Sequence, residues 1–238
     1  MVFSPAQMPK FQQPGGKRRR ADPLGQIELT LRTCVHATEV EVNNQTVLPR
    51  LVDLILAAPV ADRLKTLDLS SETDISPESV LRLARGLGAL TNLYLPEDFD
   101  GETQFYRSLV QARPAIVRLN LGFDNTLDNE DLRIICHGLR LEYLDLVSVG
   151  NLTDRAIDII LESPCAQTLR YINLSYAPHF SSEDVLRLVR GCPRLAYLDW
   201  ETSEDEPLDR DIDGPNVDAV DALLMSRGGR ASGAAAYW

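Results

Sequence analysis

The sequence has no long apolar run and no apolar leader. Residues 1–16 lack the apolar core of a secretory signal, and the most apolar window, Leu51–Ala58, is too short to cross a bilayer and contains Asp53. Cysteines are few, and none lies in a CxxC pair or at the spacing of a zinc site: Cys34, Cys136, Cys165 and Cys192. We therefore expect an intracellular protein, cytoplasmic or nuclear, with reduced thiols and no membrane contact.

Sequence signatures of catalysis are also missing. The chain contains no Walker loop, no glycine-rich dinucleotide fingerprint, no GxSxG and no HExxH. Cys34 lies near His36 and Cys136 beside His137, but neighbours in sequence usually point apart, and both cysteines stand where a buried position is predicted. We predict no enzyme activity, cofactor or metal. A thiol enzyme, the alternative, would need an exposed cysteine of low pKa.

Charge is unevenly spread along the chain. The net charge of -11 argues against direct binding of nucleic acid, which needs a basic surface. Residues 201–221 hold nine acidic residues against Arg210, which indicates a solvated insertion or, alternatively, a decoy surface for basic partners. The N-terminal segment is basic and contains a candidate nuclear-import signal that could equally be a solvated tail: Lys17, Arg18, Arg19 and Arg20.

One apolar pattern recurs through the chain, in the form apolar-x-x-apolar-x-apolar. Its copies read LKTLDL, LTNLYL, IVRLNL, LEYLDL, LRYINL and LAYLDW, with central positions at Leu67, Leu93, Leu119, Leu144, Ile172 and Leu198. Successive centres are separated by 26, 26, 25, 28 and 26 residues, and a weaker copy surrounds Val40. A fixed period of this length is typical of a solenoid, in which each unit buries its apolar face against its neighbours.

Each unit begins as a strand and continues as a helix. The end of the pattern alternates apolar and polar residues, whereas Ser76 with Pro77 and Ser181 with Asp184 have the composition of helix N-termini. Thr153 is predicted to cap another helix. The fold class predicted is α/β: a right-handed leucine-rich-repeat solenoid, or horseshoe, of about seven repeats of about 26 residues, with a parallel sheet on the concave face and helices on the convex face.

The repeats predict the domain organisation. Residues 24–227 form the solenoid, which starts with an N-terminal cap helix and contains an acidic loop at 201–213 and a C-terminal cap helix at 216–226. Residues 1–23, a basic tail, and residues 228–238 are expected to be disordered because they are rich in small and polar residues.

The repeat sequence resembles that of a known family. Residues 141–163 and 172–200 look like the cysteine-containing leucine-rich repeats of F-box/LRR proteins, in which a Thr-Asp pair starts the helix and a cysteine precedes the next strand. Thr153, Asp154 and Cys192 match those positions, whereas Val149 stands where that family often has a loop cysteine. The resemblance implies a substrate receptor of a cullin-RING ubiquitin ligase, although no F-box is visible in the sequence.

The strand phase predicts which side chains face a partner. Positions one before and one after each central residue point out of the sheet and form two lanes along the concave face. The C-terminal half has tyrosines in the first lane and Asp or Asn in the second, a mixture common at protein interfaces. The predicted partner-binding residues are Tyr94, Arg118, Tyr143, Asp145, Tyr171, Asn173, Tyr197 and Asp199. Alternatively, the tyrosines are simply favourable strand residues.

The sequence therefore predicts a monomeric scaffold that binds a protein on its concave face, most concretely a substrate-recognition or adaptor module of the ubiquitin-ligase type. The alternative is a leucine-rich-repeat regulator of a small GTPase, a class that also carries acidic C-terminal segments. The repeat length of about 26 residues argues against that alternative, because the units of that class are longer.

Overall fold

A computed structural model describes residues 2–3, 23–42, 49–70, 74–113, 115–177, 180–200 and 215–232. The chain divides into a first unit, Met1–Pro96, and a second unit, Glu97–Trp238. The predicted import signal at 17–20 and the predicted acidic loop at 201–213 lie outside the described residues.

Strands and helices alternate in the first unit. Its elements are β1 (Val2–Phe3), α1 (Pro23–Thr33), β2 (Glu39–Val42), α2 (Pro49–Ala57), β3 (Thr66–Asp68), α3 (Pro77–Gly86) and β4 (Asn92–Tyr94), with a short 3-10 helix at Ala61–Arg63. The four strands pair in chain order and are parallel, and the pattern centres Val40, Leu67 and Leu93 are aligned.

The second unit continues the alternation. Its elements are α4 (Thr103–Ala112), β5 (Arg118–Asn120), α5 (Asn129–Gly138), β6 (Tyr143–Asp145), α6 (Arg155–Leu161), β7 (Tyr171–Asn173), α7 (Ser182–Gly191), β8 (Tyr197–Asp199), α8 (Pro215–Ser226) and β9 (Arg230–Ser232), with a 3-10 helix at Pro164–Gln167. All five strands are parallel, and each pairs with the next along the chain. The strand-helix repeat confirms the α/β leucine-rich-repeat solenoid.

The repeat pattern is the core of each unit. In β6 and its flanks, Leu141, Leu144 and Leu146 have no exposed surface, and the equivalent Leu169, Ile172 and Leu174 are equally buried. Burial of apolar surface stabilises this stacking in every repeat by about 25 cal/mol per Å². The central residues are therefore the positions least tolerant of polar substitution.

Helix starts follow the capping residues that the sequence contains. Ser76 and Ser181 each accept a hydrogen bond from a backbone N–H in the first turn, and the Asp184 carboxylate accepts one from the Ser181 N–H over 3.1 Å. Asp128 and Asp131 form a second capping box at α5. Asp154 directly precedes α6 but makes no capping bond with its side chain, whereas the Thr153 hydroxyl accepts a hydrogen bond from the Arg155 N–H over 3.4 Å, as the predicted cap requires. The Thr153 hydroxyl also accepts a hydrogen bond from Asn129 of the preceding helix over 2.8 Å.

The expected disorder of both termini is wrong for two short strands. Val2–Phe3 pairs with β2, and Arg230–Ser232 pairs with β8. Gly229 makes the second pairing possible, because a Cβ atom there would lie 1.7 Å from the Ala196 carbonyl oxygen. The next residue, Arg230, donates its N–H to that same oxygen over 2.9 Å. A glycine that composition assigns to a tail is therefore a site of close backbone contact.

A buried polar pair joins α4 to the loop after β5. The Tyr106 hydroxyl donates to the Asp124 carboxylate, and both residues are almost completely buried. Asp124 also accepts from the Thr126 N–H over 2.8 Å and the Leu127 N–H over 2.9 Å. Burial and the neighbouring Asp124 raise the pKa of Tyr106, so the phenol keeps its proton and remains a donor.

Removal of that donor should be costly. We expect Tyr106→Phe to lower the free energy of unfolding by about 1–3 kcal/mol, because it takes a hydrogen bond from a buried carboxylate and adds no new contact. Urea denaturation followed by circular dichroism measures the change. Asp124→Asn in the Tyr106→Phe background should cost less than in the wild type, since the two residues share one interaction. An unchanged midpoint for Tyr106→Phe would show that the pair does not stabilise the fold.

Candidate functional site

Three tyrosines occupy one row across the sheet of the second unit. The strand register places Tyr143 opposite Tyr171 and Tyr171 opposite Tyr197. All three are half-buried and come from the same position of successive repeats, directly before the buried central residue. We call these three residues the tyrosine row.

The row is held by stacking, with arginines at both ends. The Tyr143 and Tyr171 rings are parallel within 5° and their centroids are 4.4 Å apart. The Arg118 guanidinium carbon lies 5.9 Å from the Tyr143 ring centre, within reach of a cation-π interaction. At the other end, Arg230 of β9 pairs with Tyr197. Arg230 is not among the residues predicted from the sequence, because the Gly-Gly pair before it has the composition of a tail.

Two of the tyrosine hydroxyls are oriented by carboxylates in the neighbouring lane. Tyr143 donates to Asp145 over 3.2 Å, and Tyr171 donates to Asp199 of the next strand. Burial and the hydrogen bond to Asp199 raise the pKa of Tyr171, so its hydroxyl stays protonated. Fixed rings lose little side-chain entropy on binding, which suits an interface anchor.

The Asp and Asn residues of the second lane have a structural role that the sequence analysis did not assign. Side chains in this lane accept a hydrogen bond from the backbone N–H two residues further on and so close the turn that follows the strand. The donor and acceptor pairs are Ser70 N–H and Asp68, Gly122 N–H and Asn120, Val147 N–H and Asp145, and Ser175 N–H and Asn173, with lengths of 2.8–3.0 Å.

Asp145 illustrates the difference between this role and the predicted one. It is only 7% exposed, so its carboxylate supports Tyr143 and the turn and does not present an open oxygen to a partner. Burial raises the pKa of Asp145, while hydrogen bonds from Val147, Tyr143 and Asn173 act in the opposite direction. Asp199 and Asn173 are half-buried.

Tyr94 lies apart from this set in the chain. It is half-buried on β4 of the first unit, where the register places it opposite Asp68. Arg118, by contrast, is exposed on β5 of the second unit. Of the predicted partner-binding residues, the second unit therefore holds all except Tyr94.

Two of the cysteines, Cys136 and Cys192, lie in environments that disfavour thiolate formation, whereas the hydrogen bond with Cys136 lowers the pKa of Cys165. Cys136 is fully buried, whereas the adjacent His137 is exposed, so the two side chains point to different surroundings. Its hydrogen bond with Cys165 and its burial raise the pKa of Cys136, and burial raises the pKa of Cys192 to about 12. Thiolates are the reactive form, so these two thiols are poor nucleophiles.

Two further features are absent from the described ranges. Within them, no set of three or more His, Cys, Asp or Glu side chains is arranged to hold a metal ion. None of the helices described has the length and apolar content to cross a bilayer.

Comparisons with known proteins support the fold. No protein-family model matches the chain, and a search of curated proteins found no match. Among solved structures, the chain is similar to the leucine-rich repeat-containing protein LegL7 from Legionella pneumophila, with 13% identity and a TM-score of 0.54, over 79% of this chain and 62% of that one. The Rad7 and Elc1 complex in yeast also matches, with 14% identity and a TM-score of 0.37, over 86% of this chain and 70% of that one. The chain spans less than two thirds of the length of LegL7.

Proposed function

We propose that the protein is a protein-interaction scaffold whose partner binds the sheet face of the second unit through the tyrosine row. The observation that carries this proposal is the stack of Tyr143 on Tyr171, with both hydroxyls fixed by carboxylates and Arg118 over the outer ring. Tyrosine and arginine are, with tryptophan, the residues enriched among interface hot spots. A rigid row of them offers apolar area and hydrogen-bonding edges at low entropic cost.

The alternative explanation is that the tyrosines only stabilise the sheet. The hydrogen bonds and charged groups around the row argue against it. Strand stability needs rings but not hydroxyls, yet Tyr171 is hydrogen-bonded to a carboxylate on the next strand. Arg118 is exposed at one end of the row and Arg230 at the other. A mixture of aromatic, basic and acidic groups on one face is typical of a recognition surface.

More specifically, we propose that the protein is a substrate-recognition or adaptor module of the ubiquitin-ligase type that acts inside the cell. This proposal is supported by the resemblance of the repeats to F-box/LRR sequences, in particular by Cys192 before β8, which the structure describes as a free, buried cysteine. Identification of the bound partner distinguishes this assignment from that of another intracellular scaffold.

Loss of the ring faces should weaken partner binding. We expect Tyr171→Ala and Tyr197→Ala each to cost about 1–3 kcal/mol of binding free energy while the fold remains intact. The matched variants Tyr171→Phe and Tyr197→Phe retain the rings and should lose much less. The measurement is affinity purification of each tagged form with mass spectrometry, followed by titration of the purified partner.

The outcomes separate the functional classes. Ubiquitin-ligase subunits retained by every form, with client proteins lost only from the alanine variants, would support the receptor proposal. A small GTPase retained instead would favour a regulator. Equal affinity of a folded Tyr171→Ala, Tyr197→Ala double variant for every partner would eliminate the tyrosine row as the binding site.

A further inference from the structure

The first residues of strands β5–β9 form one lane across the sheet of the second unit, and both ends of this lane are basic. In chain order the residues are Arg118, Tyr143, Tyr171, Tyr197 and Arg230. The tyrosines are half-buried, whereas Arg118 and Arg230 are exposed. With strands about 4.8 Å apart, the two arginines are separated by about 19 Å along the sheet. The tyrosine row therefore ends in a positive charge on each side.

More arginines lie at the same edge of the sheet, in the segments that lead from a helix end to the first residue of the next strand. These segments hold seven arginines and two glutamates: 113–118, 139–143, 162–171, 192–197 and 227–230. The loops at the opposite ends of β5, β6 and β7, residues 121–128, 146–154 and 174–177, contain no lysine or arginine. In a chain of net charge -11, positive charge is therefore concentrated at the amino ends of these strands.

Five of these arginines are exposed, and we call them the basic edge: Arg118, Arg140, Arg170, Arg194 and Arg230. Arg170 pairs with Glu142 over 3.6 Å, whereas the other four have no ion pair with another described residue. Basic side chains are favoured near helix carbonyl ends in any case, and Arg227 has that role at the end of α7. Arg118 and Arg230 belong to strands, so this explanation does not cover them.

Stacking determines which part of the Tyr143 ring a partner can reach. Tyr171 of one neighbouring strand covers the ring at a centroid distance of 4.4 Å, and Arg118 of the other neighbouring strand lies 5.9 Å from its centre. A cation or a nucleobase needs an open ring face. The ring edges carry the positive part of the aromatic quadrupole, which attracts an anion. The rings and the arginines therefore favour the same kind of ligand, a negatively charged one.

Two carboxylates near the row leave this preference in place. Asp145 is buried, and Asp199 accepts the hydrogen bond of the Tyr171 hydroxyl. Both are the last residues of their strands, two positions beyond the tyrosines, so they lie on the carboxyl side of the row. The basic edge lies within the row and on its amino side, which is where an anionic segment would be bound.

We propose that the partner segment on the tyrosine row is extended and acidic, and that its carboxylates pair with the arginines of the basic edge. This inference rests on the proposed function, because it names the chemistry of the partner that binds the same surface. Arginine binds a carboxylate through two parallel hydrogen bonds, which fixes the position of the segment as well as its charge. About six residues of an extended chain, at about 3.1 Å per residue, span the distance from Arg118 to Arg230.

A synthetic peptide tests the charge preference. The probe is a fluorescent peptide of about twelve residues that alternates glutamate and proline, because proline holds the chain extended and packs on aromatic rings. Its counterpart has lysine in place of glutamate, and binding is measured by fluorescence anisotropy at near-physiological salt and at higher salt. We expect the wild type to prefer the glutamate peptide. Arg140→Gln with Arg194→Gln should weaken that binding by about fivefold and reduce its salt dependence, because two ion pairs are lost.

Two further variants separate the basic edge from the row and from total charge. Arg133→Gln with Arg155→Gln makes the same change of charge at exposed positions of α5 and α6 and should leave the affinity unchanged. Tyr171→Ala with Tyr197→Ala should weaken binding of the glutamate peptide, because the segment is expected to cross the row. Thermal unfolding of each variant checks that the fold is intact.

Four results would overturn the inference. They are a wild type without preference for the glutamate peptide, full affinity of the Arg140→Gln, Arg194→Gln variant, full affinity of the tyrosine double variant, and tighter binding of a single-stranded RNA of about twelve nucleotides. The proposed function fails by a different result. If the alanine variants of the row still lose the natural partner in affinity purification, the row remains the partner site although its ligand is not acidic.

Discussion

Leu144→Asp is expected to unfold the second unit. Leu144 has no exposed surface and is aligned between Leu119 and Ile172 of the adjacent strands, so a carboxylate at this position would be buried without a partner. We expect a loss of more than about 4 kcal/mol in the free energy of unfolding, which is the range of the most damaging single substitutions. Circular dichroism and urea denaturation of the purified chain measure it.

The control for this prediction preserves volume and polarity. Leu144→Met should cost less than about 1.5 kcal/mol, since a flexible apolar side chain of similar size fills the same space. If Leu144→Asp unfolded at the same urea concentration as the wild type, the repeat centres could not form the core of the solenoid.

Arg227→Met is expected to release the C-terminal end of the second unit. The Arg227 Nη1 atom donates to the carbonyl oxygens of Val189 and Cys192, each over 3.0 Å, and of Leu195 over 2.9 Å. These carbonyls belong to the end of α7 and the loop after it, where helix carbonyls lack partners within the helix. Because hydrogen bonds to a charged group contribute about 1.5–3 kcal/mol, we expect a loss of about 2–3 kcal/mol.

Amide hydrogen exchange locates the effect. In Arg227→Met, the amides of β9 and the end of α7 should exchange faster, while those of β5 and β6 should keep their protection. Arg190→Met makes the same chemical change at an exposed position in the last turn of α7, and its exchange pattern should match that of the wild type. A normal exchange rate for β9 in Arg227→Met would show that the guanidinium does not hold this end of the chain.

The repeat was predictable because its physics is local and periodic. A fixed spacing between buried centres specifies both the strand phase and the parallel order, and the structure aligns Leu144 with Ile172 and Leu198 as that phase requires. Helix starts at Ser76 and Ser181 were equally visible, because a capping side chain acts on backbone groups only two or three residues away.

The edge strand β9 could not be predicted from local pattern. Its pairing depends on the close approach of Gly229 to Ala196, residues 33 positions apart, and a glycine beside small residues has the composition of a tail. Arg230 was therefore not predicted as a site residue, although its strand places it next to Tyr197.

The sequence predicted which side chains form the candidate site but not the different roles of its carboxylates. The sequence identified the row of Tyr143, Tyr171 and Tyr197 because strand alternation determines which side chains leave the sheet. It could not distinguish a carboxylate that meets solvent from one that closes a turn, as Asp145 does through the Val147 N–H.

Hydroxyl-radical footprinting of the chain, free and bound to its purified partner, tests the proposed interface most directly. It reports the solvent exposure of individual side chains, and the buried Tyr106 serves as an internal reference that binding should leave unchanged. If the tyrosine row is the interface, modification of Tyr171 and Tyr197 will fall sharply in the complex while that of Met225 on α8 persists. Unchanged modification of the row, with protection of Met225 instead, would contradict the proposal and place the partner on the helices.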